Sequence, residues 1–122
     1  MTGVELRHAV FELVESHPNI TPTAERAHAH MFRTSCGQVI GIEPERVQFQ
    51  NIFVSASDVD LSRVVDIPHK LYSARDYKES RPNHNLFGAD GFDDIDLICF
   101  KVTELWQAVR VIFEVAGTGG KP

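Results

Sequence analysis

The chain has 122 residues, a formal net charge of -5, 43% hydrophobic residues and 24% charged residues. That length suits one domain and is too short for two ordinary ones, and the composition is that of a globular rather than a disordered chain. The longest run without Asp, Glu, Lys or Arg, Val47–Ser57, is far short of the ~20 residues needed to span a bilayer.

Two cysteines do not make a disulfide framework. No basic segment followed by an apolar block opens the chain, so no signal peptide is expected. The expectation is a soluble, cytoplasmic, mildly acidic domain that requires no cofactor and no membrane. At this size it can bury roughly two-thirds of its unfolded surface without metal or disulfide staples.

The first element is a helix. Thr2-Gly3-Val4-Glu5 fits a capping box, and Leu6, Ala9, Val10, Leu13 and Val14 fall on one face at helical spacing. His17-Pro18-Asn19 ends it, because a proline disfavours helical geometry at the residue before it. Thr21-Pro22 then reads as a second helix start, and Ala24, Ala27, His28, Met31, Phe32 and Cys36 step by three or four, which predicts a helix over 22–35. Gln38–Ile42 is short and β-branched, as a strand would be, and Glu43-Pro44-Glu45 is a turn.

Val47–Ala56 is apolar at both parities, which predicts a strand buried on both faces or a bulge that flips register near Asn51. Ser57-Asp58-Val59-Asp60 looks like a helix start. His69–Ser80 is ambiguous, and Arg81–Asp94 carries loop chemistry in Pro82, Asn83, Asn85, Gly88, Asp90 and Gly91. Ile95–Val102 reads as a central strand.

Residues 103–116 carry two signals. Glu104, Gln107, Arg110 and Glu114 form a polar stripe at helical spacing, while the β-branched run Val109–Val115 alternates like a strand. A short turn followed by a strand at 108–116 is the preferred reading. Helices lead and strands follow, which predicts an α+β domain over 1–116, with N-terminal helices on one face of a mainly antiparallel sheet and a flexible tail at 117–122. The expected core includes Leu6, Val10, Leu13, Phe49, Phe53, Leu97, Ile98 and Phe100.

Five groups of residues could carry chemistry. His28 and His30 diverge by about 200° on a helix, so no metal site is expected from them. Asp90, Asp93, Asp94 and Asp96 lack the spacing of a calcium loop and read as a solvated acidic turn. Asp93 with His84 is a weak acid–base candidate across that loop. Cys36 and Cys99 sit at apolar positions and read as packing residues.

The remaining group is Lys70, Tyr72, Arg75, Tyr77, Lys78 and Arg81, a local basic excess with two interleaved tyrosines, broken by Asp76 and Glu79. Tyrosine and arginine are enriched at binding hot spots, so this segment is the expected partner-binding surface. The expected partner is another protein, and the expected function is that of a small interaction protein: an adaptor, an inhibitor, an immunity-type or phage-type accessory factor, or an assembly subunit.

Two alternatives stand beside that reading. One is a small enzyme or ligand-binding protein with a pocket between helices and sheet. In the other, Leu6–Glu15, the His17–Pro22 turn and the helix predicted after it resemble the opening of a winged helix-turn-helix, which implies a DNA-binding regulator. Residues 1–60 carry eight acids against four basic residues, however, and steering toward DNA needs positive potential.

Overall fold

A computed structural model describes residues 1–77 and 82–117. The fold is α+β. Helix α1 (Gly3–Ser16) leads into strands β1 (Ile20–Glu25), β2 (His30–Thr34), β3 (Val39–Ile42) and β4 (Gln50–Ser55). Two short 3-10 turns at Ala56–Asp58 and Leu61–Arg63 precede β5 (His69–Tyr72). A third at His84–Leu86 precedes β6 (Leu97–Val102), and helix α2 (Leu105–Ala116) follows. The six strands form one sheet in the order β1-β2-β3-β4-β6-β5, antiparallel at every pairing.

Helix α1 starts as its sequence requires. The Glu5 amide donates to Thr2 Oγ1 at 3.1 Å, and the Thr2 amide donates to Glu5 Oε1 at 2.9 Å, so two orphan donors are satisfied reciprocally. Leu6, Val10 and Val14 are buried, while Leu13 is only partly so.

The helix expected over 22–35 is instead the β1–β2 hairpin. Met31 and Phe32 are both buried, yet they pack into different cores on opposite faces of the sheet. A strand covered on both faces hides its period of two, and the remaining apolar residues then mimic helical spacing. Pro22 is tolerated because β1 is an edge strand, and the pairing register shifts between Pro22 and Ala24.

The strand preferred for 108–116 is also corrected, because α2 spans the whole segment. Ala108, Val111, Ile112 and Val115 are buried on one helical face. Burial of that face is worth several kcal/mol, which outweighs the few tenths of a kcal/mol per residue lost by putting β-branched residues in a helix. The polar stripe was the better signal. Gln107 Oε1 accepts from the amides of Thr103 and Glu104 at 2.8 and 3.1 Å and so caps the N-terminus, while Gly117 closes the helix at φ +78°.

The second helix therefore comes from the C-terminal end of the chain. One core joins Leu6, Val10 and Val14 of α1, Ala108, Val111, Ile112 and Val115 of α2, and Phe32, Ile40, Ile42, Ile52, Val54, Ile98 and Phe100 of the sheet. His17 links the two helix ends. Its Nδ1 accepts from the Asn19 amide at 3.0 Å, which leaves Nε2–H to donate to the Gly117 carbonyl at 2.8 Å.

The opposite face of the sheet is covered by turns, the short 3-10 turn at His84–Leu86 and loop chain. Tyr77, Leu86, Phe87 and Phe92 pack over Met31, Phe53, Leu97 and Cys99. This second core explains why β4 and β6 are apolar at both parities. Of the expected core residues only Leu13 and Phe49 fall short of full burial, and Lys101 Nζ and the Arg46 guanidinium lie 4.5 and 5.3 Å from the Phe49 ring centroid.

Candidate functional site

β5 is one edge of the sheet, and it carries the first part of the basic, tyrosine-containing segment. His69, Lys70 and Leu71 are exposed, Leu71 to 59%. Lys70 pairs with Cys99 and Tyr72 with Leu97, so both side chains lie on the loop-covered face. There Lys70 Nζ sits 4.9 Å from the Tyr72 ring centroid, and the Phe53 ring lies 6.2 Å from that of Tyr72.

The chain then turns over residues 74–77, with Arg75 exposed and in no ion pair among the described residues. Lys70, Leu71, Tyr72, Ser73, Asp76 and Tyr77 line a shallow groove of about 300 Å³ beside this edge.

Tyr77 is not the exposed anchor that its position in the sequence suggests. It is 4% exposed, its hydroxyl donates to the Ile95 carbonyl at 2.7 Å and accepts from the Ile95 amide at 3.2 Å, and its ring lies 5.1 Å from that of Phe87. It pins the turn to the loop and leaves Tyr72 as the accessible aromatic. Nothing local distinguishes the two tyrosines; only the fold of residues 86–95 over the sheet does. Lys78 and Arg81 lie outside the described residues.

His84 and Asp93 are not brought together. Asp93 accepts from the Gly88 amide at 3.3 Å, and no hydrogen bond or ion pair joins it to His84. His84 instead lines a surface groove of about 470 Å³ with His28, Glu43, Glu45, Arg46, Pro82, Asn83 and Asn85.

The Glu43 side chain in that groove is only 12% exposed, and its oxygens are already committed. Oε1 accepts from Asn51 at 2.6 Å and Arg46 at 3.2 Å, and Oε2 accepts from Asn83 at 3.0 Å. Asn83 also donates to the His28 carbonyl at 2.7 Å. The cluster fastens the covering loop to the sheet. The space between helices and sheet, where a ligand pocket would lie, is filled by Phe32, Phe100, Ile112 and their neighbours.

His28 lies in the β1–β2 turn against Glu45, whereas His30 opens β2 and meets Phe11 edge-on at 5.2 Å, so they serve different surroundings. No group of three His, Cys, Asp or Glu side chains suited to a metal occurs among the described residues.

The acidic stretch builds turns. Asp90 and Asp94 adopt φ of +62° and +56°, and Asp96 accepts from the Ala74 amide at 2.8 Å. Cys36 is exposed in the β2–β3 turn, contrary to its expected packing role. Cys99 is buried, and burial, reinforced by the nearby Glu43 carboxylate, pushes its thiol up to about 12.

One exposed group escaped the sequence reading. Trp106, 46% exposed, donates to Glu104 at 2.8 Å and lies 5.6 Å from the Arg110 guanidinium, which bonds Asp66 at 2.7 Å and the Arg63 carbonyl. Its partners Glu104 and Arg110 belong to the polar stripe of α2, which the β-branched run obscures.

No helix among the described residues is long and apolar enough to cross a membrane. The segment read as the helix after the His17–Pro22 turn is a β-hairpin, and only strands follow it as far as Ser55, so the resemblance has no recognition helix to rest on. The chain matches no protein-family model, no curated protein and no solved structure.

Proposed function

We propose that this domain is a small interaction protein that binds another protein through β5 and the turn that follows it. The observation that carries the reading is the exposure of Lys70, Leu71 and Arg75 beside the half-buried Tyr72, on a sheet edge that no other strand covers among the described residues. An aromatic ring already held by Phe53 costs little to order on binding, and arginine pairs bidentately with carboxylates. Between positions 70 and 81 four basic residues stand against two acids, in a chain of net charge -5. An acidic surface on the partner would therefore be steered to this edge and repelled elsewhere.

The test is affinity capture followed by binding measurements on the captured partner. Tyr72→Ala with Arg75→Ala should cost at least ~2 kcal/mol of binding, as a hot spot does. Trp106→Ala, on α2, should leave affinity within twofold. Unchanged affinity in the double variant would move the working surface away from β5.

A further inference from the structure

The backbone of β5 points to how such a partner is held. The Lys101 amide donates to the Pro68 carbonyl at 2.8 Å, and the ladder continues with His69 opposite Phe100, Lys70 opposite Cys99, Leu71 opposite Ile98 and Tyr72 opposite Leu97. Hydrogen-bonded pairs alternate along an antiparallel ladder, so Pro68, Lys70 and Tyr72 turn their backbone groups toward β6. His69 and Leu71 turn theirs outward. The edge thus presents two N–H and two C=O groups in the pattern that an added strand would meet.

The opposite edge of the sheet is blunted, because β1 contains Pro22 and a register shift beside it. β5 has neither device along its four residues.

We propose that β5 binds an extended acidic segment of a partner protein by strand addition, the backbone of His69 and Leu71 pairing with the added strand. This rests on the protein-binding reading above and specifies its partner. Side chains of an added strand alternate between the two faces. On the loop-covered face they meet Lys70, Tyr72 and the shallow groove, with Arg75 beyond, so carboxylates fit there. On the helix face they meet Leu71, whose 59% exposure is the largest apolar surface on the strand, so an apolar residue fits there. The segment recognised is therefore one in which acidic and apolar residues alternate. A second copy of this chain fits less well, because its own β5 would bring Lys70 and Arg75 against the same charges.

The probe is a blocked synthetic peptide, acetyl-(Glu-Val)3-amide, titrated into the full chain by amide NMR. The controls are (Lys-Val)3 and a (Glu-Val)3 peptide N-methylated at alternate residues to remove the donors along one edge. Binding should shift the His69 and Leu71 amides first. Lysine replacement or N-methylation should weaken it at least tenfold.

Leu71→Pro should do the same, since it deletes an outward N–H and leaves the β5–β6 ladder intact. If that variant fails to fold, the N-methylated peptide on the unaltered protein carries the test. Absence of binding by (Glu-Val)3, or equal binding of the lysine peptide, overturns the proposal. So does a dimer of the free chain that Leu71→Pro abolishes, since the edge would then hold a second copy. Binding that survives both N-methylation and Leu71→Pro but is lost in Tyr72→Ala/Arg75→Ala overturns strand addition while leaving the protein-binding reading intact. A captured partner indifferent to every change at 70–75 overturns both.

Discussion

Arg26 clamps the loop that covers the second core. It lies in the β1–β2 turn, and its guanidinium reaches across the sheet edge to three carbonyls of the covering loop. Nη1 donates to Asn85 and Phe87 at 2.7 Å each, and Nη2 donates to Ala89. Those residues position Phe87, and Phe87 packs on Tyr77, which holds the turn that presents Arg75.

A hydrogen bond from a charged donor is worth roughly 1.5–3 kcal/mol net, but the three share one guanidinium, and the exposed Ala89 carbonyl regains water when it is removed. Arg26→Ala should therefore cost about 2–4 kcal/mol in urea denaturation, with the m-value unchanged. Arg26→Lys keeps the charge but not the fork, and it should recover less than half of the loss. Amide exchange should accelerate at Phe92, whose N–H bonds the Leu86 carbonyl at 2.8 Å, before it accelerates in β4. A loss under about 0.5 kcal/mol with unchanged Phe92 exchange would refute the idea that this clamp holds the loop.

Three further outcomes follow from the packing. Ile112→Ala, at a fully buried position, should cost about 2–5 kcal/mol, and Leu13→Ala, only partly buried, about 1–2 kcal/mol; reversed sizes in denaturant titration would overturn the assignment of the helical core faces. Gly91→Ala should destabilise by about 1–3 kcal/mol, because a Cβ there would sit 2.3 Å from the Leu86 carbonyl oxygen; a thermal midpoint equal to the parent would contradict that close approach.

The third outcome concerns the thiols. Only Cys36 should react with a thiol reagent in the native protein, and both cysteines after unfolding. The unfolded Cys99 thiol ionises near 9 and the folded one near 12. The folded state therefore holds the extra proton between those values, and stability falls as pH rises through that window, by up to about 4 kcal/mol. Cys99→Ala should flatten that part of the pH–stability curve, and a slope unchanged in the variant would refute the attribution.

Local chemistry determined the parts of this fold that close on themselves within a few residues. The Thr2–Glu5 capping box, the proline stop after α1 and the loop character of 82–94 each depend on neighbours in the chain, and each was readable there. The α+β class was read from helices leading and strands following, and it holds although the second of those helices is the β1–β2 hairpin. Strands β4 and β6 were also readable, because two-sided apolar runs belong in the middle of a sheet.

What the tertiary structure decided was which side of each segment is covered. Met31 and Phe32 look like one helical face until a second core is placed under the sheet, and the C-terminal β-branched run looks like a strand until α2 is seen to complete the core that α1 leaves open. Tyr72 and Tyr77 are the same residue type five positions apart; the loop held by Arg26 and Glu43 buries one and leaves the other half-exposed beside an open edge. Propensity and periodicity describe a residue's relation to its own segment, whereas coverage depends on chain that returns from tens of residues away. That is why the candidate surface was legible only as a cluster of residue types, and its backbone edge was not legible at all.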